Sequence, residues 1–352
     1  MGRNGITASE VAGGTARRLQ FSIRVLGGLL LLLPKSYRRL AIRGLDWSLT
    51  PAVFASGLIL RFIRSRGIAR FPRSKTALLT AGVFPITNHY YEPRFDFRHM
   101  RRRLEEERPL PGIDWNVDGQ LRFLERLTFA DELARFPKHK TSDLEPFMYN
   151  QMFGPGDAEY WFQILRALKP KRVIEIGSGG STLVAIKALG RNRAEHAAYS
   201  CDHVCIEPFE APWLEKTDVR VVRQPVEEAD PNLFSGLDAG DILFIDSSHM
   251  IRPQGDVLFE YLELLPTLRP GVIVHVHDIF SPRDYPRDWL TDNLMFWNEQ
   301  YLLEAFLSHN ADWEIIGALN FLHHHHYERL QAVCPFLWRE LNPGSFYMRK
   351  VA

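Results

Sequence analysis

Lys171-Arg-Val-Ile-Glu175-Ile-Gly177-Ser178-Gly179-Gly180-Ser181-Thr182-Leu183 reads as a buried strand, a glycine turn and the start of a helix. Glycine tolerates positive φ and lets a ligand approach the backbone closely, and the first turn of the following helix presents unpaired amide donors. The spacing is not the dinucleotide G-x-G-x-x-G, because Thr182 stands where the third glycine would be. A nicotinamide oxidoreductase is therefore disfavoured.

Upstream, Asp157 to Leu168 reads as a helix. Downstream, His203-Val-Cys-Ile-Glu207 is a second buried strand, ending in an acid about thirty residues after the glycine turn, where a carboxylate can accept both hydroxyls of a ribose. Val219-Arg-Val-Val-Arg223 is a third strand, and Asp241-Ile-Leu-Phe-Ile-Asp246-Ser-Ser-His249 holds a fourth. Its four consecutive apolar residues suit a strand covered on both faces in a parallel sheet. Ligand crevices of open α/β sheets lie beyond the carboxyl ends of the strands, so Asp246 and His249 are placed for chemistry. The plainer reading is an Asp helix cap beside a solvated His. A helix over Gly255 to Leu268 leads to a fifth strand, Gly271-Val-Ile-Val-His275-Val-His277-Asp278-Ile279. A long helix from Trp289 to about Ser308 and two strands, Trp313 to Ala318 and Ser345 to Val351, complete a seven-stranded Rossmann-like α/β pattern with helices on both faces.

The rest of the chain divides into a basic N-terminal arm, 1–75, and a substrate-side segment, 76–145, ahead of the α/β domain at 146–352. The net charge of +1 conceals an asymmetry: residues 1–75 carry fourteen Lys or Arg against Glu10 and Asp46. From residue 15 to 75 aliphatics interleave with arginines, which suits either peripheral contact with an anionic membrane surface or a helical cap with solvated arginines. Arginines among aliphatics fit lipid better than a phosphate track, and no nucleic-acid partner is expected. Arg17-Arg18 is a poor match to a twin-arginine export signal, and Val25 to Leu33 is too short to span a bilayer. Three cysteines, Cys201, Cys205 and Cys334, match no disulfide or zinc spacing and fit a reducing cytoplasm. Asp118 to Phe136 reads as an amphipathic helix.

Glu175-x-Gly177-x-Gly179 after the first strand, an acid after the second and seven strands in all resemble the class I S-adenosylmethionine-dependent methyltransferases over roughly residues 145–352. Within that class, Phe244-Ile-Asp246-Ser-Ser-His249 with Val276-His277-Asp278-Ile279 is similar to the bacterial O-methyltransferases of the macrocin and mycinamicin type. The resemblance implies S-adenosylmethionine as cofactor, with Glu175, Gly177, Ser178 and Gly179 along its methionine half, Ser181 near the amino or carboxylate end, and Glu207 on the ribose. It also implies a divalent metal, Mg or Mn, on Asp246, His277 and Asp278. His277 departs from an all-oxygen set, and an imidazole ligand favours manganese, iron or zinc over magnesium. In the alternative, Asp246 and Asp278 only orient His249 and the acceptor. His249, three residues after Asp246, is the expected general base toward an acceptor hydroxyl. The expected acceptor is a sugar, a glycolipid precursor or a natural-product-like small molecule. A non-catalytic scaffold docked through the basic arm is the rival reading. Tyr285, Trp289, Trp297 and His89-Tyr90-Tyr91 form either an aromatic wall for a sugar ring or ordinary core. His323-His-His-His326 reads as a solvated loop or an adventitious metal binder rather than a lid.

Overall fold

The computed structural model describes residues 34–87, 91–93 and 100–352, and the chain forms two compact units, 1–99 and 100–352. Arg17-Arg18, the rest of the arm before residue 34, and His89-Tyr90 lie outside the described residues.

In the first unit, α1 (Lys35–Ser65) runs for 31 residues and continues through Pro51. A 3₁₀ turn, Ile68–Arg70, connects it to α2 (Pro72–Ala81). Pro72 opens α2, where its missing N–H costs nothing, and Gly82 closes it at φ 70°. Arg64 pairs with Glu92 and lies 5.0 Å over the ring of Phe84.

The second unit begins with α3 (Val117–Leu124) and continues through α4 (Asp157–Leu168), β1 (Arg172–Ile176), α5 (Gly180–Glu195), β2 (Asp202–Ile206) and β3 (Arg220–Val222). Then come β4 (Ile242–Ile245), β5 (Ile273–Val276), α6 (Glu299–Leu307), β6 (Trp313–Ala318), α7 (Leu319–His325), α8 (Tyr327–Val333) and β7 (Phe346–Lys350). They build one seven-stranded sheet in the order β3-β2-β1-β4-β5-β7-β6, parallel except for β7, which is antiparallel to both neighbours. This is the Rossmann-like sheet read from the sequence.

The reason β4 is apolar throughout is visible in its alternation. Ile242 and Phe244 join the core on one face with Trp161, Phe162 and Val184, while Leu243 and Ile245 join the opposite core with Val204, Val257 and Leu265. Asp241 clamps the entry of β1, accepting the amides of Lys171 and Arg172 at 3.0 and 2.9 Å. Residues 100–145, read from sequence as part of a separate segment, belong to this unit. Gln120 accepts the Ala318 amide at 2.7 Å and Asn116 donates to the Ile315 carbonyl at 2.9 Å, fixing α3 against β6.

Three expected helices are broken, each for a local reason. The one expected over 118–136 becomes α3 and a single turn, Ala130–Leu133, because the Gln163 side chain takes the Phe129 amide at 2.8 Å. The helix at 255–268 becomes an α-turn (Asp256–Leu258), a π-helical stretch (Phe259–Leu264) and a 3₁₀ turn (Leu265–Thr267) containing Pro266, which has no N–H to continue an α-ladder. The long helix through Trp297 splits into Arg287–Thr291 and α6, because the Asn298 and Glu299 amides donate to the His249 carbonyl at 3.0 and 3.2 Å.

Candidate active site

The ends of three adjacent strands are tied level. Gly177 donates its amide to Ile206, Asp246 to Ile176, and His277 to Ile245, at 2.8 to 3.0 Å. Gly177 sits at φ 80°, and a Cβ there would lie 2.0 Å from the Asp246 carbonyl oxygen. Only glycine permits both the dihedral and this approach. At Gly179 a Cβ would meet nothing within 4 Å.

Below the turn, Glu175 is fully buried. Its Oε2 accepts from the Ser181 and Thr182 hydroxyls at 3.0 and 2.8 Å, and its Oε1 faces His203 Nε2 at 2.7 Å. Both oxygens thus hold the strand, the turn and the helix start together. Glu207 accepts the amides of Phe209, Glu210 and Ser178 at 3.0, 2.9 and 3.2 Å, so it locks the loop after β2 onto the glycine turn. A cavity of about 420 Å³ opens beyond these strand ends, lined by Gly177, Glu207, Phe209, Glu227, Asp246 and Arg252 among others.

Asp246 also faces a buried cluster. Its Oδ1 lies 3.3 Å from both His249 Nε2 and His277 Nδ1. Asp278 lies 3.5 Å from His249 Nε2 and 3.6 Å from His277 Nδ1. His249 and Asp278 both sit at φ 57°, turning their side chains toward one point. The far nitrogen of His249, Nδ1, meets Glu299 at 2.8 Å, and the second Glu299 oxygen accepts from Tyr261 at 3.1 Å. On the far side of His277, Nε2 faces Asp157 at 3.9 Å.

Electrostatics follow from this packing. Burial opposes charge on both imidazoles, but the surrounding carboxylates win: Asp246 and Glu299 hold His249 protonated well above the ordinary histidine range, and Asp278, Asp246 and Asp157 do the same for His277. Burial would also raise Asp246, yet the two imidazoles keep it well below the usual carboxylate range. Asp278, where burial dominates, is pushed up to about 6.

Residues 174–279 match the family model of a methyltransferase domain. Over these residues the chain carries a methyltransferase domain. An uncharacterized protein of Archaeoglobus fulgidus is 28% identical over 172 residues, 44% of this chain and 74% of that protein. Among solved structures, an O-methyltransferase from Bacillus cereus with S-adenosylhomocysteine is 13% identical over 66% of this chain and 91% of its own, at a TM-score of 0.34. TomG from Streptomyces achromogenes, in complex with S-adenosylmethionine, is 14% identical over 65% and 89%, at 0.33. MycE of the mycinamycin pathway, with Mg, S-adenosylhomocysteine and mycinamycin VI, is 16% identical over 55% and 48%, at 0.28.

The glycine turn fits an S-adenosylmethionine cofactor, since the buried Ser178 hydroxyl has no partner of its own beside the open space at Gly179. Asp246, His277 and Asp278 fit a divalent cation: one donor atom from each lies within 4.8 Å of the others, combining two carboxylates with an imidazole. His323–His325 form the last turn of α7 and His326 caps it, and the members of the run diverge. His323 faces the Arg339 carbonyl, His324 Arg283 and His325 Glu107, at 3.1, 2.8 and 2.8 Å. Of the expected aromatic wall, Trp297 lies 4.3 Å from the His249 ring, with Trp289 and Tyr285 at 5.2 and 6.4 Å from Trp297. Sequence reasoning gave no role to Glu299, Asp157 or Phe209. Glu299 lies 50 residues beyond His249, and only the break before α6 brings it there.

Proposed function

We propose that this methyltransferase acts on a hydroxyl of a sugar, a glycolipid precursor or a natural-product-like small molecule, with His249 as general base. One observation carries the reading: His249 presents Nε2 to the Asp246–Asp278 pair, of which Asp246 lines the cavity, while Glu299 holds Nδ1 from behind. In the neutral ring Nδ1–H donates to Glu299, which leaves the Nε2 lone pair to accept the hydroxyl proton. The cofactor, when bound along Gly177, Ser178, Gly179, Ser181 and Glu207 over the buried support of Glu175, supplies a methyl group activated by its positive sulfur. Asp246, His277 and Asp278 would hold a divalent cation, which would supply charge favouring the developing alkoxide.

Without a cation, Asp246 and Glu299 favour the protonated His249 ring. A cation held by Asp246, His277 and Asp278 would draw on the Asp246 charge, weaken that preference and leave Nε2 available as a base. Trp297, packed on His249, offers an apolar face suited to a sugar ring beside the base.

The test is methyl transfer to a panel of hydroxylated glycosides, with and without exhaustive chelation. Transfer that requires Mg or Mn and disappears in Asp246→Asn supports the reading. Full turnover after chelation removes the cation from it, and full turnover in His249→Ala removes the base.

A further inference from the structure

Helix α1 buries little of its length against the described residues of its unit, with contacts in its last turns around Phe62, Ile63 and Arg64. Among its residues whose burial is described only Ile63 is buried, while Tyr37, Leu40, Trp47, Phe54, Leu58 and Phe62 are between 52% and 82% exposed. Steps of three, four and seven along a helix return to one side, so these six form a single apolar row about 38 Å long. A water-soluble surface rarely presents so long a contiguous apolar strip, and one of this kind marks an interaction face.

The charges select the partner. Between residues 34 and 82 there are ten Lys or Arg and one acid, Asp46. Exposed Arg39, Arg43 and Arg61 flank the row, roughly 60–100° round the axis, whereas Asp46 lies about 120° away. The Arg66 guanidinium lies 5.7 Å over the ring of Phe62, setting a positive charge beside the end of the row. Exposed Arg70, Arg73 and Lys75 continue the positive charge past the helix end. No described helix is long and apolar enough to cross a membrane.

We infer that α1 lies in the plane of an anionic phospholipid surface, with Trp47, Phe54 and Leu58 among the acyl chains and the arginines at the phosphates. A protein groove would need one acidic complement to the arginines along the whole row. A lipid interface supplies apolar depth and negative charge together at every point. The inference does not depend on the acceptor or on the role of His249.

The test is flotation of the full-length protein with phosphatidylcholine vesicles, with and without phosphatidylglycerol. Binding should require the anionic lipid and weaken with salt. Arg43→Gln with Arg61→Gln should weaken it by about fivefold per arginine, the contribution of one basic side chain near a charged surface. Phe54→Glu with Leu58→Glu should abolish it while cofactor binding stays unchanged, and circular dichroism checks that α1 persists. Failure to float with anionic vesicles, or flotation of the Phe54→Glu, Leu58→Glu variant equal to that of the parent, would overturn the inference. So would self-association seen by light scattering that this variant abolishes, since the row would then be a contact between copies of the chain.

Discussion

His249 has a carboxylate on each side, and that arrangement makes its proton a readable quantity. In the cation-free protein its pKa is raised by Asp246 and Glu299 against the opposing effect of burial. A proton NMR titration should therefore find it charged beyond the ordinary histidine range, and saturating Mg should bring the midpoint down. An unchanged midpoint would separate the cation from the base. Glu299→Gln removes a raising charge, so the His249 midpoint, and with it the rising limb of activity, should move to lower pH. A limb that stays in place would reduce Glu299 to packing. His249→Ala should lose on the order of 10²–10⁴-fold in transfer, the usual contribution of a general base, while cofactor affinity stays within a few-fold. Asp246, His249, His277 and Asp278 were all legible as candidates because short motifs after β4 and β5 carry them. Glu299 was not, because a carboxylate 50 residues away has no local signal until the chain path is known.

At the scale of elements, the strands were easier to read than the helices. A strand covered on both faces advertises itself as a short apolar run, as β4 and β5 do. The helices were misjudged where tertiary contacts take amides out of the ladder: Gln163 at Phe129, and the His249 carbonyl at Asn298 and Glu299. The stretch 256–267 departs from α-geometry where Glu260 reaches Ser247, next to Asp246, at 3.1 Å. The glycine turn is the element most sensitive to change. Gly177→Ala would force positive φ on a residue with a Cβ, costing about 1–3 kcal/mol, and would also drive that Cβ into the Asp246 carbonyl. The expected result is a lower melting temperature together with loss of cofactor binding. A variant that melts and binds like the parent would show that the turn does not support the site in this way.

Across the whole molecule, composition located the division of labour without explaining it. The excess positive charge before residue 75 separates the arm from the domain that carries the chemistry, but a charge count cannot show that α1 presents one apolar row; that requires the exposure of each side chain. The fold was legible over residues 146–352, where strand, turn and helix follow one another in order. It was less so over 100–145, whose attachment to β6 rests on Asn116 and Gln120, polar side chains buried for structural reasons. Every role assigned to the site depends on the space beyond Gly177, Gly179 and Glu207 receiving S-adenosylmethionine. Calorimetry tests it without knowledge of the acceptor. The parent protein should bind one cofactor per chain, and Gly179→Leu, whose new Cβ meets nothing in the protein, should fold normally and lose that binding. Absence of binding in the parent, or equal binding in the folded variant, would contradict the account.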